Sequence, residues 1–167
     1  MNNNDIFKEQ LVARKNNGKD TLKQIGIVLL GVILIFVGSI TIPSLFVPIV
    51  LVVGVAVFVI IKRFNLEFEY IFTNGELDID KIYNKLKRKH TLTIDVRRFI
   101  VMIQMTNPSL KSEIGNISKV IDYGKGQITE SSYAAIYEDD GKRVQLIFDP
   151  NETLIKGIHT YIPRKIK

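Results

Sequence analysis

The chain has no cysteine and only two histidines, and between Gln24 and Ile61 it has no charged side chain over 38 residues. Without cysteine, disulfides, thiolate nucleophiles and thiolate-ligated metals are excluded. His90 and His159 stand far apart, with no metal-ligand spacing between them. There is no Walker A loop, no G-x-G-x-x-G and no G-x-S-x-G, and the serines are scattered without an evident base. These absences argue against catalysis. The expectation is a protein that is not an enzyme and carries no cofactor and no metal.

The uncharged stretch comes next. At about 1.5 Å per residue, one helix of that length would run roughly 57 Å, nearly twice a hydrocarbon core of about 30 Å. Pro43 lies near its middle, within Thr41-Ile42-Pro43-Ser44. Proline lacks a donor and disfavours helix in the residue before it, so a reversal there is natural. The reading is two spans, Gln24 to Ile42 and Ser44 to Ile61, each close to the roughly 20 residues a transmembrane helix needs. Pro48 falls in the first turn of the second span, where it is tolerated. A buried hairpin of a soluble core would need more protein around it than this chain supplies. A cleaved signal peptide would need a shorter apolar core and a small-residue cleavage site, and neither is present. Gly31 and Gly38 share a face and are expected to pack within the hairpin. Neither span holds an ionisable residue of the kind that marks a transport pathway.

Charge sets the orientation. Lys8, Arg14, Lys15, Lys19 and Lys23 precede the first span, Lys62 and Arg63 follow the second, and the turn between has none. Basic flanks stay inside, so both termini are expected in the cytoplasm of a multi-pass cell-membrane protein. The net charge is +6, and residues 1–63 contribute seven basic against three acidic side chains. A basic excess beside the membrane suits anionic headgroups; nucleic-acid binding would call for a strongly basic domain face and is not expected.

Three regions follow: an N-terminal segment 1–23, the hairpin 24–61 and a cytoplasmic domain 64–167. The first opens on Asn2-Asn3-Asn4-Asp5, which can cap a helix, and then places Ile6, Phe7, Gln10 and Leu11 on one helical face. That face suits an interfacial helix on the inner leaflet; an unstructured tail is the alternative. The domain has period two. Leu66, Phe68, Tyr70 and Phe72 alternate with Glu67, Glu69 and Ile71, Asn74-Gly75 marks a tight hairpin, and Leu77 and Ile79 point inward on the return. Further strands are expected at Thr91–Val96, Phe99–Met105, Lys119–Tyr123, and in a final hairpin of Ser132–Glu138 and Arg143–Phe148 around Asp139-Asp140-Gly141, about seven antiparallel strands in all. Leu110 to Ser118 reads as loop or short helix. Leu154, Ile155, Ile158, Tyr161 and Ile162 then form one face of a helix, with Asp149 as its cap and Pro163 at its end. Only Lys62 to Asn65 join the second span to the first strand, at most about 14 Å of extended chain.

Two charged groups draw notice. Lys85, Lys87, Arg88 and Lys89 form a basic run read as a loop before the third strand, a candidate contact for anionic lipid headgroups or a partner. Glu76, Asp78 and Asp80 share one strand face, and the Asn74-Gly75 turn sets Glu69 opposite Asp80. Carboxylates of this kind can hold a hard cation or serve an enzyme, but their parallel directions fit neutralisation by the basic run better.

The segments Phe68-Glu69-Tyr70-Ile71-Phe72-Thr73-Asn74-Gly75-Glu76-Leu77-Asp78-Ile79-Asp80, Leu146-Ile147-Phe148-Asp149-Pro150-Asn151-Glu152 and Tyr161-Ile162-Pro163-Arg164-Lys165, together with the basic run, carry a resemblance. The chain resembles a family of small two-span membrane proteins of Gram-positive bacteria with a bacterial pleckstrin-homology-like domain. That resemblance implies an α-helical transmembrane hairpin followed by a mainly-β domain, a seven-stranded curled sheet or barrel with a C-terminal α-helix. It implies no activity. The first hairpin is acidic where eukaryotic pleckstrin-homology domains place basic lipid ligands. The expected function is a membrane-anchored, non-catalytic interaction or scaffold protein with a protein partner. Recognition of anionic lipid by residues 85–90 is the alternative.

Overall fold

The computed structural model describes residues 6–15 and 18–167. Helix α1, Gly18–Thr41, and helix α2, Phe46–Lys62, form an antiparallel hairpin. Ile42, ahead of Pro43, leaves the helical region at φ −139°, and Pro43–Leu45 make one tight 3-10 turn. Asp20–Thr41 of α1, and Pro43–Lys62, which takes the 3-10 turn together with α2, are long and apolar enough to cross a membrane. Gly31 and Gly38 let them approach. An added Cβ would stand 2.8 Å from Val57 Cγ2 at the first and 2.9 Å from Ile49 Cδ1 at the second, so both glycines pack inside the hairpin as expected.

Among the described residues, eight strands make two four-stranded sheets. The first has the order β1 (Phe7–Ala13), β2 (Leu66–Thr73), β3 (Glu76–Tyr83), β4 (Lys87–Asp95). The second has the order β5 (Val101–Gln104), β7 (Tyr133–Asp139), β8 (Lys142–Phe148), β6 (Lys119–Asp122), with the short helix α3, Leu110–Ile114, between β5 and β6. The seven strands after the hairpin lie close to their predicted places. They are not all antiparallel: β6 runs parallel to β8.

The largest departure is β1. Phe7 to Ala13 were expected to be an interfacial helix or a free tail; they form a strand antiparallel to β2, from Phe7 opposite Thr73 to Ala13 opposite Glu67. The helical spacing rested on four residues. Against it stands an open edge on β2, which offers a hydrogen-bond ladder and a buried slot for Val12. Residues 1–5, including the expected cap, lie outside the described residues. The helical hairpin is therefore an insertion between two neighbouring strands of one sheet. The two legs are tied where they meet it: Arg14 N–H donates to Leu66 O at 2.9 Å and Lys15 N–H to Lys125 O at 2.8 Å.

The inner faces share one core. Phe68, Tyr70 and Phe72 of β2, Leu77 and Ile79 of β3, and Leu146 and Phe148 of β8 are fully buried in it. Helix α4, Glu152–Tyr161, closes one end with Leu154 and Ile158. Phe72 packs edge-on against Tyr161, ring centroids 5.7 Å apart, and a Cβ on Gly157 would meet it at 3.2 Å. The cap of α4 is Asn151, whose side chain accepts from Leu154 N–H at 2.8 Å, not Asp149. Asp149 is buried instead in a polar knot. Its carboxylate accepts from Lys125 N–H and from the Ser132 hydroxyl, both at 2.5 Å, and its own N–H donates to Tyr70 Oη at 3.2 Å. Gln10 of β1 adds two bonds, donating to Asp149 O and accepting from Asn151 N–H. The knot ties β1 to the start of α4.

Candidate functional site: the charged outer face of the first sheet

Alternation decides which side chains face outward. With Phe68, Tyr70 and Phe72 turned to the core, Glu67, Glu69 and Ile71 face out, and the register sets Leu11 and Asp80 on either side of Glu69. Glu69 opposite Asp80 is as the tight turn required: Asn74 and Gly75 both have positive φ, 51° and 97°.

What strict alternation could not supply is the bulge. Between β3 and β4 the register shifts, so that Ile79 faces Leu92 while Asp80 faces His90. Thr91 is the extra residue, and its hydroxyl donates to Ile79 O at 2.6 Å. Without it, Lys87, Lys89 and Thr91 would follow Thr93 on the outer face. With it, Arg88 and His90 are placed over the carboxylates, and Lys87 and Lys89 turn to the other side. The basic run is thus a strand with a tight turn before it, not a loop. Period counting from Leu92 and Ile94 runs straight through the shift and cannot see it.

Arg88 Nη2 reaches Glu69 Oε1 at 2.7 Å, and its Nε lies 3.9 Å from Asp80 Oδ2. His90 Nδ1 stands 2.8 Å from Asp80 Oδ1; a carboxylate only accepts, so the Nδ1 proton faces it. His90 Nε2 is 3.0 Å from Thr93 Oγ1, and the Thr93 hydroxyl bonds Asp78. Lys85 is looser, 3.9 Å from Glu67. Of the four basic candidates, Arg88 is committed to the carboxylates, Lys85 is a weak partner, and Lys87 and Lys89 make no ion pair among the described residues. The notion that the run neutralises the carboxylates holds for Arg88.

Glu69 is the unusual group. It is only 4% exposed on an outward face, and its Oε2 has no hydrogen-bond partner among the described residues. Burial pushes its carboxyl above the usual range; Arg88 pulls it down, while Glu9 of β1 and Asp80 push it further up. Beside it on the outer face lie the exposed Leu11, the half-buried Ile71 and Ile82, and Glu9 of β1. Among the described residues no three His, Asp or Glu side chains converge as metal ligands. Asp80, His90 and Thr93 stand in a row of carboxylate, imidazole and hydroxyl, but the Thr93 proton is directed to Asp78, not to the imidazole, so the hydroxyl is not activated as a nucleophile. What the arrangement does is hold a carboxylate shielded from solvent against Arg88, on an outward face that carries the exposed Leu11.

Two four-stranded sheets around one core, closed by a C-terminal helix, define a pleckstrin-homology-like domain. Over residues 4–167 the chain matches the family described as Bacterial PH-like domain (DUF6106), and it belongs to that family. The matched region includes the helical hairpin. No curated protein and no solved structure matches the chain.

Proposed function

We propose that this is an integral, multi-pass protein of the cell membrane, both termini cytoplasmic, that holds a non-catalytic interaction domain at the inner face. The carrying observation is the insertion of the hairpin between β1 and β2. Two strands that pair along their whole length must lie on the same side of any membrane the hairpin enters. An even number of spans satisfies that, as does the uncharged turn at Ile42–Leu45. Helix α2 buries no side chain within the molecule, which fits lipid around it rather than protein. The domain surface offered to a partner is the outer face of β1–β4, and the rigid strand junction keeps that face at a constant angle to the bilayer.

The test has two parts. Single cysteines at Ser44 and Glu130 are probed in intact cells with a membrane-impermeant thiol reagent; labelling at 44 alone is expected, and labelling at 130 overturns the orientation. A photo-crosslinker at Leu11 in native membranes is expected to give one discrete adduct that Glu69→Lys abolishes. A smear insensitive to that change sinks the partner face. A second reading, contact of residues 85–90 with anionic lipid, is favoured by Lys87 and Lys89, which make no ion pair among the described residues.

A further inference from the structure

We propose that the turn between β3 and β4 is a membrane seat: Leu86 enters the headgroup layer of the leaflet that α2 leaves, held there by Lys85, Lys87 and Lys89 on anionic headgroups. This rests on the reading that α1 and α2 cross the bilayer.

Position comes first. Strand β2 runs away from α2, so β3 runs back toward it, and Tyr83 ends opposite Leu66 at the first residue of β2. Asn84 N–H then donates to Asn65 O at 2.9 Å, pinning the turn to the foot of α2. The chain between is short and wound. Arg63, Phe64 and Asn65 donate in turn to Ile60, Ile61 and Lys62, at 3.1 to 3.2 Å. Four residues beyond Ile61, at the 3-10 rise of about 2 Å each, put Asn65 roughly 8 Å past the end of the apolar span. Each headgroup layer is about 5–7 Å thick, from a bilayer of about 40–45 Å around a core of about 30 Å. Asn65 and Asn84 therefore sit at the outer margin of that layer. The turn continues from Asn84 through Lys85 and Leu86, in the direction β3 has been running, which is back toward the bilayer.

Chemistry comes second. Leu86 is 85% exposed, more than any other large apolar side chain among the described residues, those of the hairpin included. It stands between Lys85 and Lys87, with Arg88 and Lys89 following. A leucine bracketed by cations at a tip matches the interface, where apolar atoms enter the acyl boundary and lysines stay with phosphate. The turn is closed by Leu86 N–H, which donates to Tyr83 O at 3.1 Å. Asn84 and Lys85 both sit in the left-handed region, φ 52° and 58°, where glycine would be the unstrained choice at the second position. Lysine there keeps a charge at the cost of strain. Lys87 and Lys89, which the Thr91 bulge turns away from the carboxylates, remain available for headgroups.

The absence of native cysteine makes the test clean. Single cysteines replace Val52 in the middle of α2, Leu86 at the tip, and Glu76 at the far end of β3. Each full-length variant carries one environment-sensitive fluorophore and is reconstituted in phosphatidylcholine–phosphatidylglycerol vesicles. Lipids spin-labelled in the acyl chain or at the headgroup serve as quenchers. The expected result is acyl-chain quenching at 52, headgroup quenching at 86 at least threefold that at 76, and a fall of half or more at 86 on Lys87→Glu with Lys89→Glu. Quenching at 52 with 86 no different from 76 overturns the seat and leaves the spanning hairpin intact. No quenching at 52 overturns the spanning reading itself. A signal at 86 that ignores the lysine changes overturns the part given to the cations.

Discussion

The two sheets share a core and differ on their backs. Behind the second sheet, Val101, Ile103, Ala134 and Ile136 are buried under Met105, Leu110, Ile114 and Ile117 from the segment that carries α3. Behind the first, Phe7 and Leu11 stay exposed among the described residues, and beside them stand carboxylates, Arg88, His90, Thr93 and the half-buried Ile71 and Ile82. The sequence of each sheet records the difference. Val101-Met102-Ile103 and Tyr133-Ala134-Ala135-Ile136-Tyr137 are apolar on both faces, as strands covered on both sides are. Leu66 to Phe72 alternates, as a strand open on one side does. The first sheet thus keeps an uncovered, charged back where the second has a covered, apolar one.

The comparison can be broken at several strengths, each read by chemical denaturation of the full chain in detergent. Phe72→Ala strikes the core common to both sheets and should cost about 3–5 kcal/mol, since Gly157 and Tyr161 both pack on that ring. Ile136→Ala, on the covered back of the second sheet, should cost about 2–4 kcal/mol. Glu69→Gln tests the buried carboxyl. Its folded pKa lies above its unfolded value, so the folded state holds the proton more tightly, and ionisation penalises folding as pH rises past the ordinary carboxylate range. The glutamine variant should therefore gain stability relative to the parent as pH rises from about 4 to about 7. A difference that stays flat with pH would falsify the assignment. Leu11→Ala, on the open back of the first sheet, should change stability by less than about 0.5 kcal/mol. If Leu11 cost as much as Ile136, the contrast between the two faces would be wrong.

Much of this was legible in the chain because the signals are local. The uncharged run, Pro43, the Asn74-Gly75 and Asp140-Gly141 turns and the amphipathic α4 each lie within a few residues of what they specify. The Glu69–Asp80 opposition followed from a single turn. The misreadings share another cause. The partner of β1 begins only after the whole hairpin, β6 finds β8 across an intervening strand, and the Thr91 bulge is set by what β3 needs opposite Asp80. Asp149 looked like a cap because its donors, Lys125 and Ser132, come from a loop with no regular pattern. Tertiary partners decided all four, and no periodicity in one segment reports them.

The placement of the hairpin between β1 and β2 also bears on how the molecule is made. The first strand is synthesised before either helix, and its strand partner after both. In a chain whose hairpin crosses the bilayer, the sheet closes only when the second helix has brought β2 back to the side where β1 waits. Insertion of one helix alone would leave the two strands on opposite sides of the membrane, with an unpaired edge and an empty slot where Val12 belongs. Folding of the domain thus reads out the success of insertion, and a wrongly threaded chain marks itself as unfinished.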